Sequence, residues 1–245
     1  MKKKIAIIGA GIAGLTLANL LQNNSNFEFV IYERGENLNL EEGFGIQLAV
    51  NSVSVLNLIG FSSMNKSNFF NPKKLDFYSD EKKICDLDLT QFNNEREKYT
   101  TLKRSILIKF LKDKLFSHLI KFNKAIETVE KNQNTIKIKF KDGSSEEVDY
   151  LVVSDGVFSQ TKTIIENFFF KPNYYGAVAI RTQIKTKDVS EFQTENISLF
   201  MSSNAHLVSY PVNDNGDTNQ VCILRKNLNE KKSIEQLLSE KFFNK

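Results

Sequence analysis

The stretch Lys4-Ile-Ala-Ile-Ile-Gly-Ala-Gly-Ile-Ala-Gly14 decides the fold. An apolar strand runs into Gly9-x-Gly11-x-x-Gly14, and the helix-like run Leu15–Leu21 follows at once. A second strand, Phe27–Tyr32, ends in the acid Glu33. Strand, glycine triplet, helix, strand and terminal acid, in that order, are the pattern of a dinucleotide-binding βαβ unit. Gly9 permits the tight turn out of the strand, Gly11 lets backbone approach a pyrophosphate, and Gly14 lets the helix pack closely on the sheet. The helix N-terminus offers N–H groups and a positive dipole end to phosphates. Glu33 is placed to accept hydrogen bonds from ribose hydroxyls.

The basic start Lys2-Lys-Lys4 before an apolar run also has the outline of a secretory signal. Three glycines inside the apolar run and no small-x-small site after it argue against that, and the segment is too interrupted for a membrane span. With no export signal read, the expected location is the cytoplasm. Composition agrees with a folded globular chain: 245 residues, 41% hydrophobic and 25% charged. The net charge of +4 comes from interspersed Lys and Glu, a solvated surface with no nucleic-acid stripe. Cys85 and Cys222 form no disulfide framework and no metal spacing; buried free thiols are expected.

Further along, Asn51–Ile59 reads as a helix, and Leu75–Ser79 and Ile84–Leu89 as short strands. Arg104–Leu119 reads as one amphipathic helix with Leu107, Leu111 and Leu115 on its apolar stripe. Ala125–Val129, Thr135–Phe140 and Val148–Val153 read as a β-meander that leads into Ser154-Asp-Gly-Val-Phe-Ser159 and a helix over 160–168. Past Pro172, the segments Ala177–Ile184, Ile197–Met201, His206–Val212 and Gln220–Leu224 read as an antiparallel sheet. Ser233 caps a last helix with Ile234, Leu237, Leu238 and Phe242 on one face. The expected class is α/β: a Rossmann-like nucleotide domain with a β-meander, plus a mainly antiparallel second sheet.

Four segments together resemble the FAD-dependent aromatic hydroxylases, the flavoprotein monooxygenases that act on para-hydroxybenzoate, salicylate, 3-hydroxybenzoate and ubiquinone precursors. They are Gly9–Glu33, Gly43-Phe-Gly-Ile-Gln47 with Asn51, Arg104 with Leu107 and Leu111, and Ser154–Ser159 around Asp155-Gly156. The resemblance runs over residues 4–224 and implies an FAD-binding domain in 1–70 and 100–171, a substrate domain in 71–99 and 172–230, and a C-terminal helix begun in 231–245. It implies that NAD(P)H reduces the flavin, that a flavin hydroperoxide delivers oxygen from O2, and that the substrate is a small aromatic or quinone-like ring. FAD contacts are expected from Gly9, Gly11, Ala13, Gly14, Glu33, Gln47, Arg104, Asp155 and Gly156. Arg181 and His206 are the candidates for substrate; no catalytic residue and no metal ligand is assigned, and the oligomeric state is left open.

Two positions depart from the family. Lys162 stands where an arginine is usual, keeping the charge but losing the planar fork. The later Gly-Asp motif is missing; Gly216-Asp217 lies in a turn between strands and is set aside. The chain is therefore expected to be the N-terminal part of a longer enzyme or a shortened member. A non-catalytic FAD-binding fragment and a related flavin reductase or dehydrogenase stay open as alternatives. His118 is read as a helix-end histidine, and Phe168-Phe-Phe170 as core.

Overall fold

The computed structural model describes residues 2–38, 40, 44–79, 82–168, 173–185 and 195–225. The expected last helix from Ser233, Phe169 and Phe170, and Gly43 of the second motif lie outside the described residues.

Strand β1 (Lys3–Ile8) passes through the glycine turn into helix α1 (Ile12–Leu21) and strand β2 (Phe27–Tyr32). After β3 (Gly45–Leu48) and helix α2 (Val50–Asn57) come the strands β4 (Phe69–Phe70), β5 (Lys74–Ser79), β6 (Lys82–Asp88) and β7 (Thr100–Lys103). Helix α3 (Arg104–Asp113) leads to β8 (Ile120–Lys121), β9 (Ile126–Lys131), β10 (Ile136–Phe140), β11 (Ser145–Val148) and β12 (Tyr150–Val153). Helix α4 (Gln160–Glu166) precedes β13 (Ala177–Lys185), β14 (Ile197–Met201), β15 (Ala205–Pro211) and β16 (Asp217–Arg225).

The strands make four sheets. The first is all parallel, ordered β12-β1-β2-β8. Its central strand β1 is nearly continuous apolar sequence, as a parallel strand covered on both faces requires. On one face lie α1 and α3, joined by buried Leu15, Leu107 and Leu111. Asn19, buried between these helices, satisfies its amide by donating to the carbonyls of Leu15 (2.8 Å) and Leu111 (2.9 Å). On the other face sits the β11-β10-β9 meander, with Ile138 and Phe140 fully buried against Ala6 and Ile8. A small sheet, β3-β7-β4, bridges to the six-stranded sheet β13-β16-β15-β14-β5-β6. The segments before and after the central helix α3 therefore meet in that last sheet, as β5 and β6 beside β14.

Four expectations need correction. The helix from Arg104 stops at Asp113, because the chain turns extended at Phe116 so that Ile120 can pair with Ile31 of β2. Leu115 is buried beyond the helix end, which is why the apolar spacing ran on. His118 accordingly sits in a short 3-10 turn, its ring on Phe116, and not at a helix end. The run Val148–Val153 is two strands that break at Asp149. Its carboxylate accepts from the Lys4 N–H (2.8 Å) and the Lys3 ammonium (2.7 Å), which steers Tyr150–Val153 out of the meander and beside β1. The six-stranded sheet is mainly antiparallel as expected, and only its β14–β5 pair is parallel. The cysteines are not fully buried: Cys85 is exposed because β6 is an edge strand, and Cys222, on the inner strand β16, is half-buried.

Candidate functional site

The carboxyl ends of β12, β1 and β2 converge on one cleft, where a parallel sheet places its ligands. Gly9, Gly11, Glu33, Arg104, Asp155 and Gly156 all line it, although 147 positions separate the first from the last. The three glycines differ in what blocks a side chain. Gly9 has φ +99°, and a Cβ there would lie 2.7 Å from the Ser154 carbonyl oxygen. At Gly14 a Cβ would lie 2.1 Å from the Gly9 carbonyl oxygen. At Gly11 it would meet nothing within 4 Å: that space belongs to the open cleft.

Gly11, on the cleft wall, caps α1 with no side-chain hydrogen bond, so the helix N-terminus carries no side-chain cap. Glu33 is already oriented: Oε2 accepts from the Ala10 N–H (2.8 Å) and Oε1 from the Gly35 N–H (2.9 Å). Each oxygen keeps a lone pair for a hydroxyl. Across the cleft, Asp155 Oδ2 accepts from the Thr161 hydroxyl (2.9 Å) and N–H (3.3 Å). Its Oδ1 is buried with no hydrogen-bond partner, an acceptor waiting for a ligand donor. Arg34 and Arg104 add positive charge to the lining, whereas the third cation, Lys124, is held by Asp142 (2.6 Å) and Ser144 (2.8 Å).

Sequence reasoning gave Ser154 no role. Its hydroxyl donates to the Ile8 carbonyl (2.7 Å) and lies 3.2 Å from the Gly9 carbonyl, clasping the glycine turn to the Asp155 loop. Ser154→Ala is expected to cost about 1 kcal/mol, seen as a fall in melting temperature of roughly 2–4 °C. An unchanged melting curve would show that the clasp contributes nothing.

Ala13 and Gln47 do not line this cleft. Ala13 is exposed on the first turn of α1. Gln47 lies at the junction of the small sheet with the six-stranded sheet, where Oε1 accepts from the Tyr99 hydroxyl (2.7 Å) and the Tyr210 hydroxyl is also within reach. Burial pushes Tyr210 up to about 12, and burial raises Tyr99 as well, so both stay neutral phenols near neutral pH. Three further bonds stitch the junction. Thr101 donates to the Pro211 carbonyl (2.6 Å), Gly45 N–H to Asn219 Oδ1 (2.7 Å), and Lys103 to Asp217 Oδ2 (2.7 Å). Asp217, dismissed in the sequence as a turn residue, also takes Lys185 and Asn213. Burial alone would raise its carboxyl; the Lys103, Lys185 and Asn213 hydrogen bonds outweigh that and hold it well below the usual carboxylate range. Arg181 and His206 are not brought to the cleft. Both lie on the six-stranded sheet, Arg181 in the middle of β13 and His206 near the start of β15.

Comparison with known proteins agrees with this fold. A family profile described as an NAD(P)-binding Rossmann-like domain covers residues 7–39. Over 220 residues the chain is 26% identical to a 3-amino-4-hydroxybenzoate 2-monooxygenase of Streptomyces platensis, covering 88% of this chain and 54% of that protein. It is 25% identical to the 6-hydroxynicotinate 3-monooxygenase of Bordetella bronchiseptica, covering 88% and 57%. Its homologues are FAD-dependent aromatic monooxygenases. The chain spans about half the length of the curated relatives it matches. In fold it is similar to HpxO of Klebsiella pneumoniae solved with FAD and uric acid, at TM-score 0.81 and 20% identity over 98% of this chain and 61% of that one. It is also similar to a salicylate hydroxylase solved with its substrate, at TM-score 0.75 and 17% identity over 92% and 56%. No helix among the described residues is long and apolar enough to cross a membrane.

Proposed function

We propose that this chain carries the FAD-binding and substrate-covering part of an NAD(P)H-dependent aromatic monooxygenase. The observation that carries the reading is the glycine turn. Two of its glycines are blocked by protein and the third opens onto a cleft flanked by an oriented carboxylate and an orphaned buried acceptor. That is the shape and polarity of an adenosine-pyrophosphate seat.

In this reading Glu33 holds the adenosine ribose, Gly11 and the α1 N-terminus receive the pyrophosphate, and Arg104 adds charge. Asp155 Oδ1 accepts from a hydroxyl further along the cofactor. The bound flavin would take reducing equivalents from NAD(P)H and activate O2; the protein's task is to bind, orient and exclude water. Residues 1–70 and 100–171 form the nucleotide unit, and residues 71–99 and 172–230 supply the sheet over the reacting ring. The Tyr99–Gln47–Tyr210 group offers neutral phenol donors, and Arg181, on the same face as Tyr210, suits an acid attached directly to the substrate ring.

Removing both Glu33 hydrogen bonds to a ribose is expected to cost roughly 1.5–3 kcal/mol. Glu33→Ala should therefore weaken FAD binding about 10- to 100-fold. Titration of the purified chain with FAD, followed by flavin fluorescence, reads this directly. Unchanged affinity in the variant removes Glu33 from the site, and a wild-type preference for NAD over FAD overturns the flavoprotein reading.

A further inference from the structure

The face of the six-stranded sheet that carries Tyr210 also carries a second, more distant cationic end. Cross-strand partners fix its rows. Tyr210 lies opposite Asn219; one row on, Arg181, Val221 and Val208 are aligned; the next row holds Ile223 and His206; the last pairs Arg225 with Ala177. Alternation puts all of them on one face. On β13, β15 and β16 this face has a single acid, Asp217, and that acid is committed to Lys103 and Lys185. Arg181, His206 and Arg225 therefore face outward without a balancing carboxylate from these strands.

Between the two ends lies an apolar track of half-buried Val208, Val221 and Ile223. At the far end the β14–β15 turn and the start of β13 border an open surface pocket of about 520 Å³ lined by Tyr175, Ser202, Ser203, Asn204, His206 and Arg225. Arg181 lies two residues along the strands from the Tyr210 row, about 7 Å, and two strands across, about 10 Å. Its long side chain reaches back far enough for its charge to act on Tyr210, which suits an acid attached to a ring. His206 is four residues from Tyr210, about 13 Å, beyond the reach of any such acid.

Building on the proposed function, we propose that the substrate is an aromatic ring carrying an extended anionic tail, whose ring lies near Tyr210 and whose terminal charge is received by His206 and Arg225. The valine track covers the tail's apolar part, and the distal pocket admits its end.

The test uses the full 245-residue chain with FAD added and three probes followed by isothermal titration: 4-hydroxybenzoate, 4-hydroxybenzoyl-glycylglycine and the C-terminal carboxamide of the latter. Two extended residues carry the probe's carboxylate about 10 Å from its ring. The acid should bind about 10-fold more tightly than the carboxamide. Arg225→Gln with His206→Gln should abolish that difference while leaving 4-hydroxybenzoate affinity within about 2-fold. Equal binding of acid and carboxamide overturns the inference, as does a preference that survives in the double variant. FAD affinity is measured in the same samples. Tight FAD binding with no tail preference sinks this inference and leaves the flavoprotein reading standing, whereas no FAD binding removes that reading and this one with it.

Discussion

Gly14→Ala is expected to abolish FAD binding and to destabilise the fold, whereas Gly11→Ala should abolish FAD binding alone. At Gly14 an added methyl lands 2.1 Å from the Gly9 carbonyl oxygen and 2.8 Å from the Ser154 hydroxyl. The Gly9 oxygen is backbone, and the Ser154 hydroxyl is already engaged with Ile8. Helix α1 would have to move off the sheet by an ångström or more, breaking the close packing of Leu15 and Ala18. Overpacking of this kind costs about 1–3 kcal/mol and occasionally more, and contact with fixed backbone places Gly14 at the upper end. At Gly11 the backbone is extended at φ −77°, open to any residue, and the methyl meets no protein atom within 4 Å. The obstruction expected there is the pyrophosphate of the proposed cofactor. Thermal unfolding by circular dichroism and FAD titration, run on both variants, separate the two roles. A Gly11→Ala protein that binds FAD like wild type would mean that no pyrophosphate crosses that position. A Gly14→Ala protein with an unchanged melting temperature would mean that the helix tolerates the displacement.

The cleft was legible in sequence where its chemistry is local. Gly9 to Glu33 is one strand-turn-helix-strand unit, and each part announces itself within a few residues. Arg104 and Asp155 entered through the resemblance, and the structure puts both on the cleft wall. Ser154 entered only as the first residue of the Asp155-Gly156 segment, with no role, because only the register of β12 beside β1 brings its hydroxyl to Gly9. Periodicity misled where burial outlasts an element, as with Leu115 beyond the end of α3. In Val148–Val153 the one sign of a break was Asp149, a carboxylate inside an apolar run. The junction was least legible of all. Thr101 meets Pro211, Lys103 meets Asp217 and Gly45 meets Asn219 across 110, 114 and 174 residues, and no local pattern records such pairings. The surroundings of Gln47 were hidden for the same reason: its partners are Tyr99 and Tyr210, known only once two sheets are docked.

Asp217→Asn is the second large effect expected, and it acts on that docking. The carboxylate is buried and takes Lys103 from the small sheet, Lys185 from β13 and Asn213 from its own turn. Asparagine keeps the shape but removes the charge, leaving two lysines facing a neutral amide. Breaking a buried pair by deleting one partner costs about 3–5 kcal/mol when the other charge is trapped. Here Lys185 is 56% exposed and Lys103 27% exposed, so both can rehydrate, and the cost should fall to about 2 kcal/mol. The exposed pair Lys109–Asp113 supplies the control, since Asp113→Asn should change stability by less than about 0.5 kcal/mol. The pH dependence has a definite sign. A carboxyl held low in the folded state contributes stability above its unfolded pKa of about 3.9 and loses it as pH falls towards the folded value. The gap between wild type and Asp217→Asn should therefore be full at pH 5–7 and close progressively below about pH 4. Because Lys103 directly precedes Arg104, the variant should also loosen the start of α3 at the cleft, so FAD affinity should fall together with stability. Urea unfolding at several pH values measures the gap. A difference below about 0.5 kcal/mol at pH 7, or one that persists undiminished at pH 2, would show that Asp217 does not hold the two sheets together through its charge.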